Sequence, residues 1–208
     1  MNSISSTLYP RSHSRRVIFT SQRHAESLDG HPSIAVISIT DEGTADLKDG
    51  FGFVSRHEFV DGAYNEDTIR TYAAMAPNGY DHEAIYGSYL NSDGARALTA
   101  AIKQIVDRGY QTIVVHCMAG RSRSCAVAKY LSLKYQYRPY NTLDVLTETD
   151  HTIKPCDETE FKHANPMVLT LLEDPDHFAG VIRKYSTRST KEAPRPLLNR
   201  IFDNIFRR

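Results

Sequence analysis

The residues best suited to chemistry stand together in one stretch: His116, Cys117, Met118, Ala119, Gly120, Arg121, Ser122, Arg123 and Ser124. An ionised cysteine is a nucleophile. An arginine shortly after it offers a planar fork of N–H donors that fits two oxygens of one phosphate. Gly120 permits the tight backbone, φ > 0 included, that a small anion-binding turn needs. The apolar run Thr112, Ile113, Val114, Val115 leads in, and a helix-like pattern from Cys125 to Leu131 leads out. Cys117 therefore falls where a buried strand stops and a helix starts. Unpartnered amides and the helix dipole make that junction a cradle for anions. The same field favours thiolate over thiol. The chemistry implied is attack by sulfur on a phosphate ester held in a ring of amides.

The nonapeptide resembles the signature loop of cysteine-dependent protein tyrosine and dual-specificity phosphatases, His-Cys-x-x-Gly-x-x-Arg-Ser/Thr, with every fixed position present as His116, Cys117, Gly120, Arg123 and Ser124. The run after the loop, Ala126, Val127, Ala128, Lys129, Tyr130 and Leu131, is more similar to small phosphatase-like proteins of bacteria and phages. The bland reading is a buried strand-end cysteine before a basic helix start, which leaves the glycine, the arginine and the strand–loop–helix context as coincidence. The resemblance implies that Cys117 forms a phosphocysteine. Amides of Met118, Ala119, Gly120, Arg121, Ser122 and Arg123, with the Arg123 guanidinium, hold the phosphoryl oxygens. Ser124 donates a hydrogen bond to the sulfur, and His116 orients the loop from behind. No metal or other cofactor is implied, because arginine and backbone dipoles take that role.

A general acid must protonate the leaving oxygen. The family carries a catalytic Asp on a loop after an upstream strand, in some lipid-type members as Phe-x-Asp. Asp61, in Phe59-Val60-Asp61, fits that place; its structural alternative is an Asp capping a turn before Gly62. Asp81 is the second candidate, being nearer to the spacing of compact dual-specificity enzymes. Residues 62–89 depart from the family. They hold Glu66, Asp67, Asp81, Glu83, His82 and several tyrosines, and read as a lid, a substrate-reading surface or packing.

The elements that must position these groups are legible in outline. A short strand is expected over 17–19 and a helix over 21–28 capped by Ser21. The run 34–39 is the clearest buried strand, ended by Asp41, Glu42 and Gly43. A third strand, with weaker patterning, covers 52–59, and a helical turn 72–75. Asn91 or Ser92 caps a helix to about Asp107, whose core stripe is Ala95, Leu98, Ala101, Ile102, Ile105 and Val106. The strand 112–115, the loop and a helix over 122–134 follow. Residues 135–141 read as a loop, 143–146 as a turn of helix. Asn165 and Pro166 open another helix as cap and first residue, with no chemistry assigned to them. The fold class expected is α/β: a central, mostly parallel sheet of four to five strands flanked by helices, as in the tyrosine phosphatases.

The organisation expected is a Ser- and Arg-rich flexible arm over 1–16, a catalytic domain over 17–182, and a basic extension over 183–208. In that extension Leu197, Leu198, Ile201, Phe202, Ile205 and Phe206 recur at helical spacing, so 195–208 suits self-docking first and a membrane surface or partner second. The 208 residues carry 25 basic and 25 acidic side chains. That balance points to no nucleic-acid partner and argues against an RNA 5′-phosphatase, which calls for a basic groove. One loop cation beyond Arg123 weakens a phosphoinositide substrate. No apolar run is long enough to span a bilayer. Cys117, Cys125 and Cys156 suit neither a disulfide framework nor zinc-ligand spacing. A reducing, cytoplasmic setting follows. The activity expected is phosphomonoester hydrolysis on a phosphorylated protein; the alternatives are a module that binds phosphate esters without turnover and a phosphatase of a non-protein ester such as a phosphoinositide or an RNA 5′-phosphate.

Overall fold

The computed structural model describes residues 15–76, 79–142, 153–156 and 160–186. The chain is α/β, and six strands form one sheet in the order β3-β2-β4-β1-β5-β6. They are β1 (Arg16–Ser21), β2 (Ile34–Thr40), β3 (Phe53–Glu58), β4 (Thr112–Cys117), β5 (Arg138–Asn141) and β6 (Lys154–Pro155). All neighbours run parallel except β5 and β6. The helices are α1 (Gln22–Ser27), α2 (Glu66–Met75), α3 (His82–Tyr86), α4 (Ser92–Asp107), α5 (Arg123–Tyr135), α6 (Pro166–Glu173) and α7 (Ala179–Tyr185).

The centre of the sheet is dictated by sequence. Both β2 and β4 are buried at every residue, as strands covered on two faces must be. Alternation divides their side chains. Val17, Phe19, Ala35, Ile37, Ile39, Ile113, Val115 and Cys117 face the larger core with Leu98, Ile102, Ile105, Val127, Leu131, Val168 and Leu171 of the helices. Ile18, Ile34, Val36 and Val114 face a smaller cluster closed by Leu28. Each large aliphatic side chain so buried contributes roughly 1.5–3 kcal/mol. Ala95, Leu98, Ile102 and Ile105 are the buried stripe of α4, while Ala101 and Val106 sit at its half-buried margin.

Three segments differ from the sequence expectation. The sheet has six strands rather than four or five, because 138–141, expected as loop, pairs with β1, and 154–155 pairs in turn with β5. The outer edge of β1 carries backbone groups that need partners, and that demand overrides the Pro139 and tyrosine content. Gln136 makes the turn possible by taking the left-handed conformation at the end of α5, φ 61°. β1 itself begins at Arg16, which stacks its guanidinium over Tyr140 at 5.5 Å, so this arginine belongs to the sheet and not to the arm. Finally, the turn expected at 72–75 is the end of a ten-residue helix that starts at a reciprocal capping box of Asn65 and Thr68.

Residues 62–89 send Tyr64, Ile69, Tyr80 and Tyr86 into the main core. Tyr64 packs edge-on against Phe178 at 5.0 Å and tilted on Tyr86 at 4.9 Å. Burial raises the phenols of Tyr64 and Tyr80 to about 12, so both stay neutral. No described helix is long and apolar enough to cross a membrane. The expected turn at 143–146, the arm up to residue 14 and the amphipathic segment 195–208 lie outside the described residues.

Candidate active site

The stretch 116–124 lies at the carboxyl end of β4, between β1 and β2 in the middle of the sheet. In open parallel sheets that end is where ligands meet the fold. After Cys117 the chain turns through 118–122 into α5. Gly120 has φ +69°, and a Cβ there would lie 2.4 Å from Ser21 N and from the Thr20 carbonyl carbon. Glycine is thus required twice, for the left-handed backbone and for contact with β1. Gln22 N donates to the Met118 carbonyl at 3.3 Å, which ties the loop to the start of α1. Met118, Ala119 and Arg121 are exposed at the rim, and Ser122 is half-buried.

Cys117 is buried, and its Sγ lies 3.3 Å from Ser124 Oγ. Arg123 is buried too, at 2 % exposure. An unpaired guanidinium at such depth would cost several kcal/mol. It is anchored through one nitrogen: Nη1 donates to the Phe59 carbonyl at 2.5 Å and sits 2.5 Å from Asp41 Oδ1. Its Nε is buried without a hydrogen-bond partner. The anchor holds one corner of the guanidinium.

Asp61 is hydrogen-bonded to the loop. Its Oδ1 accepts from Ser122 Oγ at 2.8 Å and from Asn165 Nδ2 at 3.0 Å. Ser122, at the N-cap of α5, makes no side-chain cap bond; its hydroxyl serves the carboxylate instead. No protein-family model matches this chain, and no curated protein matches its sequence. The assignment of roles therefore rests on the loop and on what is latched to it.

Of the two candidate acids, Asp61 is the one hydrogen-bonded to the loop. Asp81 is exposed and caps α3, accepting from Ala84 N at 3.1 Å. The segment that carries Asp61 is held at every step. Phe59 N donates to the Thr40 carbonyl at 3.0 Å and Val60 N to the Ser88 carbonyl at 2.9 Å, while the Gly62 carbonyl accepts from Asn165 Nδ2 at 2.9 Å. A Cβ on Gly62 would lie 2.4 Å from the Tyr89 ring, so that ring would have to shift to admit one.

His116 is fully buried in β4, and both ring nitrogens lack a hydrogen-bond partner. Burial lowers its pKa to about 4, with the nearby charges of Arg56 and Arg123 acting in the same direction against Glu26. The ring is neutral at pH 7 and makes no hydrogen bond to the loop. Among the described residues no three His, Cys, Asp or Glu side chains are grouped to hold a metal ion.

Sequence reasoning missed two contributors. Asp41 read only as a strand end, although the first residue past a central parallel strand is where a site is expected. Asn165 read only as a helix cap. Nothing in a single sequence says that its amide also reaches a residue 104 positions away.

Proposed function

We propose that the chain is a phosphomonoester hydrolase of the protein tyrosine phosphatase type, acting on phosphorylated protein side chains, tyrosine or both tyrosine and serine/threonine. Cys117 Sγ attacks phosphorus as the bond to the leaving oxygen breaks. The transition state spreads charge over three equatorial oxygens, so positioning and electrostatics dominate. Amides of 118–123 and the Arg123 guanidinium bind those oxygens. Asp61 gives its proton to the leaving oxygen. The same carboxylate then takes a proton from water as that water attacks the phosphocysteine. The S–P bond breaks, phosphate leaves, and Ser124 stabilises the departing sulfur with its hydroxyl.

One observation carries this reading: a cysteine, a buried arginine anchored by one nitrogen, and a carboxylate hydrogen-bonded to the same loop meet at the end of one strand. A module that only binds phosphate esters needs no carboxylate hydrogen-bonded to its phosphate cradle. A reducing, cytoplasmic setting suits a thiolate nucleophile. The test is hydrolysis of p-nitrophenyl phosphate by the purified chain, with vanadate as inhibitor and Cys117→Ser as control. Vanadate-sensitive turnover that Cys117→Ser abolishes is the expected outcome. Tight binding without turnover in the wild-type chain overturns the reading.

A further inference from the structure

We infer that Asn165, together with the Ser122 hydroxyl, is a positioning clamp that selects which oxygen of Asp61 carries the transferable proton. The inference rests on the phosphatase reading and deepens it.

A helix cap needs only an acceptor, and Asn165 Oδ1 supplies it to Val168 N at 3.1 Å. Serine, threonine or aspartate would cap as well. Asparagine alone among the good caps adds an amide N–H pair. Both uses of that pair fall on the acid segment: Nδ2 meets Asp61 Oδ1 at 3.0 Å and the Gly62 carbonyl at 2.9 Å. The backbone of Asn165 closes the triangle, its N donating to the Ser122 carbonyl at 3.2 Å. Asn165 is buried at 4 % exposure while Asp61 is exposed, so the clamp holds a solvent-facing carboxyl from a donor fixed by the fold.

The electronic consequence follows from which atoms are filled. Both donors address Oδ1. A protonated carboxyl keeps its proton on the oxygen that is not already accepting. The clamp therefore reserves Oδ2 for the proton that goes to the leaving oxygen and fixes the carboxyl plane against the loop. With Phe59 latched to Arg123 and Val60 to Ser88, the segment that carries the acid is tethered beside the loop.

Asn165→Ser is the informative variant, because serine keeps the cap on α6 and loses the donation to Asp61 and Gly62. Proton donation matters most for basic leaving groups. For phenyl phosphate, kcat/KM is expected to fall on the order of 10- to 100-fold, a part of the ~10²–10⁴-fold that a positioned acid supplies. For p-nitrophenyl phosphate, whose leaving group needs little help, the loss is expected to stay within about threefold on the same scale. Added to Asp61→Asn, Asn165→Ser is expected to cost nothing further on phenyl phosphate, as two residues acting through one carboxyl must behave. Equal losses on both substrates, no loss, or additive losses in the double variant overturn the clamp while leaving the phosphatase reading intact. Should Asn165→Ser fail to fold, Ser122→Ala removes the other donor and carries the same comparison. A wild-type chain that hydrolyses neither ester overturns the phosphatase reading, and the clamp with it.

Discussion

Acid should loosen this fold through one buried ring, and the size of the effect can be worked from the structure. His116 has no exposed surface, and neither ring nitrogen has a hydrogen-bond partner. Burial lowers its pKa from 6.5 to about 4. Between those values the unfolded chain binds a proton that the folded chain refuses. Stability from this group is then complete above about pH 6.5 and is lost as pH falls towards 4. A difference of two to three pH units corresponds to about 3 kcal/mol, a large share of the ~5–15 kcal/mol that holds a domain folded. His57, also lowered to about 4 by burial, adds to the slope, so the wild-type profile alone does not isolate His116. His116→Phe does. A benzene ring keeps the approximate shape and breaks no hydrogen bond, so at pH 7 the variant should lie within about 1 kcal/mol of wild type. Urea unfolding at intervals from pH 7.5 to 4 is the assay. Relative to its own value at pH 7, the variant should lose about 3 kcal/mol less than wild type on reaching pH 4. Parallel profiles for the two proteins would refute the reasoning, because they would mean that this imidazole takes up its proton equally in both states.

Other perturbations act on the loop and its anchors. Gly120→Ala should cost at least about 1–2 kcal/mol of left-handed strain and push the loop off β1, given the 2.4 Å approach to Ser21 N; thermal unfolding and aryl phosphatase activity should fall together. Asp41→Ala leaves the Arg123 guanidinium short of its carboxylate. A fully buried pair would lose about 3–5 kcal/mol, but Asp41 is 38 % exposed, so about 1–3 kcal/mol is expected by urea titration. Arg123→Lys replaces the fork by a point charge, and kcat should fall by roughly 10²-fold or more; kinetics near wild type would remove Arg123 from the phosphate site.

The sheet centre and the loop were legible because their signals are local. A continuous apolar run says buried parallel strand, and 34–39 and 112–115 fall inside the two fully buried strands. The cap at Asn91, the stripe of α4 and the Asn165-Pro166 helix start are likewise short-range and appear where expected. β5 was not legible, because what makes 138–141 a strand is the unsatisfied edge of β1, more than 100 residues upstream. The long helix α2 was hidden by a weakly apolar sequence whose capping box is a matter of two side chains, Asn65 and Thr68. In the site, Cys117, Ser124 and Arg123 are neighbours in the chain, so one motif placed them. Asp41, Asp61 and Asn165 reach the loop from the ends of β2, β3 and the start of α6. Only the folded backbone brings them together, and only Asp61 had a motif to mark it.

The measurement nearest to the central claim is rapid quenching during turnover of p-nitrophenyl phosphate, followed by peptide mass spectrometry. The account predicts a burst of p-nitrophenol and a phosphoryl group on the sulfur of Cys117, both absent in Cys117→Ser. Sustained turnover with the phosphoryl group on any other residue, or with no covalent intermediate and an active Cys117→Ser variant, would contradict it.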